Sequence, residues 1–215
     1  MITVKTFVFN PFSENSYVLY DETNECVIID PGCFEKNEQE EITDYIKFNN
    51  LIPKYIIITH GHIDHVLGIN FLKNQFNIPV GIPAEEESTY NAVPTYASSY
   101  GFETYQHTPA DFLIKDGEDV SFGNSSLTVI SAPGHSAGHV AFVNKEENIC
   151  IGGDILFSGS IGRVDLPGGD YDTLINNIKT KLFVLNDSMV VYPGHGPSTT
   201  IKQEKATNPF FTSTL

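Results

Sequence analysis

The chain has 215 residues, and its ordinary balance of apolar and charged residues indicates a globular protein rather than a disordered one. Lys and Arg total 12 against 27 Asp and Glu, which gives a formal charge of −15. Such a surface repels phosphate backbones and anionic membranes, and the few basic residues do not cluster. We therefore expect neither nucleic acid nor a membrane as a partner.

The three cysteines, Cys26, Cys33 and Cys150, are widely spaced, which argues against both a disulfide framework and a thiolate zinc site. The N-terminus has no basic segment followed by an apolar core, and no apolar run reaches the roughly 18 residues of a membrane span. These features predict a cytoplasmic protein in which residues 1–215 form a single domain.

In the first half of the chain, apolar runs and helical spacing alternate. The predicted strands lie at 2–9, 17–20, 26–30 and 55–59. The last of these is almost continuously apolar, as expected for a central strand covered on both faces. Helices are predicted at 37–49 and 65–75. The expected buried stripe of the first helix consists of Ile42, Tyr45, Ile46 and Phe48. Residues 83–110 predict a helix and then a partly irregular, aromatic-rich stretch.

The second half of the chain predicts two hairpins, a helix and a final strand. The hairpins pair 119–122 with 126–130 and 140–144 with 148–152. The helix is predicted at 171–185 and the strand at 189–192. Because hairpins and crossovers both occur, the elements predict an α/β (α+β) fold with two mixed sheets and helices outside.

Four predicted strands run directly into residues that commonly bind metals. The motif THGHIDH at 59–65 follows one strand, and His135, Asp154 and His195 follow three others. Sites in α/β folds lie outside the carboxyl ends of strands. If these ends point the same way, the groups meet at one edge of the sheets.

Seven side chains would then meet. They are His60, His62, Asp64, His65, His135, Asp154 and His195. Seven groups without a thiolate exceed what one closed tetrahedral zinc site needs, and two ions sharing a carboxylate fit better. Paired ions are a hydrolytic device. Ligation rich in imidazole favours zinc, with iron or manganese as alternatives.

Five motifs occur in order along the chain. They are IIDPG (28–32), THGHIDHVLG (59–68), PGHSAGH (133–139), GGDILFSGSIGRVDLPGGD (152–170) and YPGHGPSTT (192–200). Together they resemble the metallo-β-lactamase superfamily, and the fourth is similar to the glyoxalase II-like (hydroxyacylglutathione hydrolase-like) enzymes of short bacterial type. The resemblance implies a four-layer αββα sandwich. It also implies that His60, His62 and His135 bind one metal ion. It assigns Asp64, His65 and His195 to a second ion and makes Asp154 the bridge.

The resulting hypothesis is a hydrolase that cleaves a thioester of the hydroxyacylglutathione type. Two zinc ions would lower the pKa of a shared water, and Asp64 and Asp154 would hold the hydroxide that attacks the carbonyl. Arg163 is expected to bind a carboxylate of a small anionic substrate or to brace the site through Asp165. Tyr17 is expected to line the pocket.

Three alternatives stay open, and the oligomeric state cannot be predicted. A persulfide dioxygenase would use a single iron at His60, His135 and Asp154. A hydrolase of lactones or other esters would use the same metal-activated water. A metal-stabilised binding module would not be an enzyme. Superfamily β-lactamases commonly place a cysteine near the position of Asp154, and its absence here argues against a drug-hydrolysing role.

Overall fold

The first half of the chain builds one mixed sheet. The computed structural model describes residues 1–212. The strands of this sheet are β1 (Thr3–Phe9), β2 (Glu14–Tyr20), β3 (Glu25–Ile29), β4 (Ile52–Ile57), β5 (Val80–Pro83) and β6 (Phe112–Ile114). They are hydrogen-bonded in sequence order. The first three strands are antiparallel to one another, and β3 to β6 are parallel. Strand β4 lies between β3 and β5, so the run predicted at 55–59 overlaps a central strand.

The second half builds another mixed sheet. Its strands are β7 (Asp119–Phe122), β8 (Ser125–Ser131), β9 (Val140–Asn144), β10 (Ile149–Gly153), β13 (Val190–Pro193) and β14 (Thr199–Thr200), with a separate short hairpin of β11 (Leu156–Phe157) and β12 (Ser160–Ile161). The order across the sheet is β14-β13-β10-β9-β8-β7. Strands β10 and β13 are parallel, whereas the other pairs are antiparallel.

Helices cover the outer faces of both sheets. They are α1 (Lys36–Phe48), α2 (Ile69–Phe76), α3 (Glu87–Tyr96), α4 (Tyr171–Asn177), α5 (Ile201–Thr207) and α6 (Pro209–Thr212), and a π-helical turn (Ile178–Leu182) extends α4. None of the helices within residues 1–212 is long and apolar enough to cross a membrane.

Three apolar cores hold the four layers together. Ile42 and Ile46 of α1 pack with Ile56 on the outer face of the first sheet. A middle core joins the two sheets through residues such as Leu19 and Phe142. A third core packs Leu174, Ile178 and Leu182 on Val143, Cys150 and Val191 of the second sheet. The predicted αββα arrangement is therefore confirmed.

Several predicted details differ from the structure. Phe48 is 85 % exposed, because it lies two residues beyond Ile46 and so about 200° further around the helix. The helix predicted from 65 begins only at Ile69, since Ile63–His65 forms a separate 3₁₀ turn. The short strands β5, β6 and β14 and the helices after β14 were not predicted, because they lack a long periodic pattern.

Candidate metal centre

The carboxyl ends of strands from both sheets meet at one edge of the molecule. The motif at 59–65 follows β4, and His135, Asp154 and His195 follow β8, β10 and β13. Strands β8 and β10 both run antiparallel to β9, and β13 runs parallel to β10, so these three strands end on the same side. The structure brings all seven predicted side chains together. The groups of ligand atoms within 4.8 Å are His60/His62/His135, His60/His65/Asp154 and Asp64/His65/His195.

The first group presents imidazole nitrogens that face each other. Nε2 of His135 lies 3.3 Å from Nε2 of His60 and 2.9 Å from Nδ1 of His62. Nδ1 of His135 donates to the Arg163 carbonyl oxygen at 2.7 Å, so the lone pair of the neutral ring is on Nε2. Thr59 Oγ1 donates to Asp30 at 2.7 Å and therefore accepts from Nδ1 of His60 at 3.1 Å. Two lone pairs in such proximity fit a cation between them.

Asp154 lies between the groups. Its Oδ1 is 3.6 Å from Nε2 of His65, and its Oδ2 is 3.5 Å from Nε2 of both His135 and His195. Oδ1 of Asp154 and Nε2 of His65 are buried and have no hydrogen-bond partner within residues 1–212. Buried polar atoms are normally paired, and leaving one unpaired costs about 1–3 kcal/mol. The residues present therefore fit metal ions.

The third group forms the solvent-facing side of the cluster. Asp64 Oδ2 is 3.2 Å from Nε2 of His195 and 3.8 Å from Nε2 of His65. The side chains of Asp64 and His195 are 15 % and 27 % exposed, whereas His60 and His65 are buried. Nδ1 of His195 lies 3.1 Å from the Phe12 carbonyl oxygen and donates to it. A small molecule in solvent can thus reach Asp64 and His195.

The two sides of the cluster differ electrostatically. Burial, reinforced by neighbouring imidazoles, holds the pKa of His60 well below its ordinary value and lowers that of His62 to about 4. Burial also opposes protonation of His65 and His195, but Asp64 and Asp154 raise their pKa values to about 9 and about 10. Despite its burial, Asp154 has a lowered pKa because His65, His195 and His135 surround it. Both carboxylates keep their negative charge and are suited to cations.

Other buried groups orient the cluster. Asp30 accepts hydrogen bonds from the Thr59 main chain and hydroxyl at 2.6 and 2.7 Å, and its Oδ2 lies 3.1 Å from Nδ1 of His65. Nε2 of His139 accepts from the Asp154 main-chain N–H at 3.0 Å, and its ring stacks on His60. Such contacts fix the orientation of ligating side chains.

The two residues predicted to contact substrate are placed differently. The Arg163 side chain is exposed and forms a bidentate pair with Asp165, with both N···O distances at 2.7 Å. Tyr17, predicted to line the pocket, is instead 1 % exposed in the core between the sheets. Its hydroxyl donates to the Pro193 carbonyl oxygen at 2.5 Å, so it supports the loop that carries His195.

Sequence reasoning missed two buried carboxylates near the cluster. Glu14 Oε1 lies 3.8 Å from Nδ1 of His65, and Glu86 accepts hydrogen bonds from the main chain of Gly61 and Gly138. Both glutamates are 0 % exposed. Glu86 lies in the run AEEES, which is typical of a solvated face, so no local pattern could have identified it.

Comparisons with known proteins agree with this geometry. A sequence profile described as "Metallo-beta-lactamase superfamily" matches residues 9–195. The chain is 36 % identical over 204 residues to "Hydroxyacylglutathione hydrolase GloC" of Haemophilus influenzae, covering 94 % of each chain. Among solved structures, "BLEG-1 B3 metallo-beta-lactamase" is 35 % identical with a TM-score of 0.89 and coverage of 98 % of this chain and 100 % of that one. "TTHA1623 in a di-iron-bound form" is 35 % identical with a TM-score of 0.85, covering 96 % and 100 %.

Proposed function

The chain belongs to the metallo-beta-lactamase superfamily, and from that membership and the geometry of the cluster we propose that it is a metal-dependent hydrolase of thioesters of the hydroxyacylglutathione type. The observation that carries the proposal is Asp154, whose two carboxylate oxygens face imidazole nitrogens from both sides of the cluster. The name of the Haemophilus influenzae relative supports the substrate class.

In this proposal, three residues would hold each ion, and Asp154 would contribute to both. His60, His62 and His135 would hold one ion, and Asp64, His65 and His195 the other. Zinc suits these donors, and iron or manganese are alternatives. When bound, such ions supply Lewis acidity that lowers the pKa of water and polarises a substrate carbonyl.

The chain's own residues position the reactants. The Asp64 carboxylate lies at the exposed side of the cluster, where it can accept a hydrogen bond from an attacking water. The main-chain carbonyls of Arg163 and Phe12 hold His135 and His195 with Nε2 directed inward. A departing thiolate needs little protonation, so this reaction requires no strong general acid.

Two relatives define the alternatives to be tested. His60, His135 and Asp154 are two histidines and one carboxylate, a donor set that suits an oxygen-activating iron, and Nε2 of His135 lies 3.3 Å from Nε2 of His60 and 3.5 Å from Oδ2 of Asp154. One similar structure is titled as di-iron-bound, so iron belongs among the metals to be tested. Another similar structure is titled as a B3 metallo-beta-lactamase, so hydrolysis of lactams and lactones belongs in the same assay panel despite the missing cysteine.

The decisive experiment combines elemental analysis of protein purified without added metal with turnover of S-D-lactoylglutathione. We expect about two metal ions per chain and turnover of the thioester. One iron per chain, no thioester turnover and oxygen uptake with glutathione persulfide would establish the dioxygenase instead. Hydrolysis of a lactone or nitrocefin without thioester turnover would overturn the proposed substrate class.

The variant Asp64→Asn separates a catalyst from a metal-stabilised binding module. We expect thioester turnover to fall by at least about 100-fold, the scale of losing one preorganised active-site group, with little change in the thermal unfolding midpoint. Asp187→Asn is the control, because that exposed carboxylate pairs with Lys205 on the surface. A large loss of stability in Asp64→Asn, with no turnover by the wild-type chain, would identify the binding module.

A further inference from the structure

Glu86 is a fully buried carboxylate that the proposed chemistry does not use. It ends the 3₁₀ turn Ala84–Glu86, directly before α3, and is 0 % exposed. Within residues 1–212 no ion pair joins it to a basic side chain. A buried charge without a counter-charge is costly, so its contacts must compensate for the loss of water.

The two oxygens of Glu86 bind two different loops of the cluster. Oε2 accepts the main-chain N–H of Gly61 at 2.8 Å, and Oε1 accepts that of Gly138 at 2.6 Å. Gly61 lies between His60 and His62, whereas Gly138 lies between His135 and His139. One side chain therefore joins a loop of the first sheet to a loop of the second.

Steric contacts show independently that both loops are packed against the same segment. A Cβ atom on Gly61 would lie 2.7 Å from the main-chain nitrogen of Tyr90. A Cβ atom on Gly138 would lie 2.4 Å from the Glu85 carbonyl carbon and 2.7 Å from the Glu86 nitrogen. Only glycine at both positions lets the loops approach this backbone closely enough for the Glu86 carboxylate to reach them.

We propose that Glu86 is a positioning residue that sets the spacing of His60 and His62 relative to His135. This role rests on the proposed metal centre. A carboxylate suits it because each of its oxygens accepts one N–H, whereas a carboxamide has a single acceptor and would turn its NH₂ group towards the other amide. The negative charge also complements a cation bound by three neutral imidazoles. The segment 84–90 would thereby help to position the ligands of the proposed metal centre.

The test compares Glu86→Gln with Glu204→Gln. The Glu204 carboxylate is equally buried and accepts hydrogen bonds from Gly159 at 2.9 Å and Asn208 at 2.8 Å, neither of which adjoins a proposed ligand in sequence. Two quantities are measured: the affinity for each of two Zn²⁺ ions by competition with a chelator, and amide hydrogen exchange at Gly61 and Gly138 in the metal-free chain.

We expect Glu86→Gln to weaken the binding of one Zn²⁺ ion by about 10–100-fold, the usual effect of removing a group that orients ligands, and to leave the other ion unaffected. Exchange at Gly61 or Gly138 should accelerate even without metal. Glu204→Gln should match the wild type in both measurements. Equal losses in the two variants, or wild-type affinity in Glu86→Gln, would overturn the role of Glu86.

Glu86→Asp keeps the inference testable if the glutamine variant does not fold. The aspartate retains the charge but is one methylene too short to reach both loops, so one Zn²⁺ ion should again bind more weakly. Wild-type affinity in this variant would show that charge alone matters and would overturn the positioning role. A wild-type chain that binds none of Zn²⁺, Fe²⁺ and Mn²⁺ would instead overturn the proposed function itself.

Discussion

At the scale of single residues, main-chain carbonyls select the histidine tautomers of the centre. Nδ1 of His135 donates to the Arg163 carbonyl, and Nδ1 of His195 donates to that of Phe12. Each bond orients the ring so that Nε2 is directed at the carboxylate of Asp154. The contribution of Arg163 to the cluster is therefore made by its backbone, whereas its exposed side chain pairs with Asp165.

Replacing Arg163 separates these two contributions. We expect Arg163→Ala to keep the wild-type metal content, because the bond to His135 comes from the main chain. If the exposed guanidinium binds a substrate carboxylate, KM for an anionic thioester should rise by about fivefold, the scale of an exposed ion pair, with kcat unchanged. Lys202→Ala, another lost surface cation, serves as the control. Loss of metal from Arg163→Ala would contradict the main-chain assignment.

The cluster also predicts release of protons when metal binds. Burial opposes protonation of His65 and His195, but Asp64 and Asp154 raise their pKa values to about 9 and about 10. Both imidazoles are therefore protonated at pH 7 without metal. His60 and His62 have lowered pKa values and are neutral. Only neutral imidazole binds metal, so Zn²⁺ should displace about two protons from these imidazoles at pH 7, in addition to the proton lost by a bound water, and its affinity should rise with pH.

Calorimetric titration of the metal-free chain with Zn²⁺, in buffers of different ionisation enthalpy, measures the number of protons released. The variant His195→Gln provides a control, because it lacks one of the two protonated imidazoles and should release about one proton fewer. A release near zero at pH 7 would contradict the protonated state of His65 and His195.

At the scale of elements, β2 holds the loop that carries His195. The Asn15 main-chain N–H donates to the Gly194 carbonyl at 2.7 Å. Its side-chain amide donates to the carbonyls of Pro193 and Gly196 at 2.9 and 2.8 Å, and the Tyr17 hydroxyl also binds Pro193. One strand of the first sheet thus fixes a loop of the second.

Removing the Asn15 amide should destabilise the chain before any metal is bound. Asn15 is 2 % exposed, and Asn15→Ala takes one hydrogen-bond partner from the buried carbonyl of Pro193 and one from the carbonyl of Gly196, so we expect a loss of about 1–3 kcal/mol in the free energy of unfolding. Urea unfolding of the metal-free protein measures it. Asn74→Ala, at an exposed helical position, should change stability far less. Equal effects of the two substitutions would argue against the role of Asn15.

Some parts of the site and fold were predictable from local sequence patterns, whereas others depend on contacts between distant segments. His135 and His195 were predictable because each follows an apolar strand within a few residues and is of a scarce, chemically specific type. Glu86 was not, because its burial arises only when loops from two sheets close over it. The strand β5 is four residues long and contains Gly81 and Pro83, so it has no alternation to recognise. Non-local contacts decide such cases.

At the scale of the whole molecule, each sheet belongs to one half of the chain. Strands β1 to β6 end at Ile114, and β7 begins at Asp119. His60, His62, Asp64 and His65 come from the first half, and His135, Asp154 and His195 come from the second. Every group of neighbouring ligand atoms draws on both halves. This shared site and the common core between the sheets support the proposal that residues 1–215 form one domain.

Cutting the chain between the sheets tests this organisation. A protease site inserted at the exposed turn 115–118 should allow cleavage of the native protein without loss of bound metal or turnover, because the middle core holds the halves together. Separation of the halves in urea should then release the metal from both. Gel filtration with elemental analysis measures both steps. Metal that stays with a separated half would contradict a centre built from both.

This division of the ligands has a consequence for the time at which the protein matures. During synthesis the N-terminal sheet emerges first, together with His60, His62, Asp64 and His65. No three-residue group is complete until His135 has left the ribosome, and the last one requires His195. The proposed pair of ions can thus be held only late in synthesis, since a nascent chain stalled before β13 has two of the three groups but lacks His195.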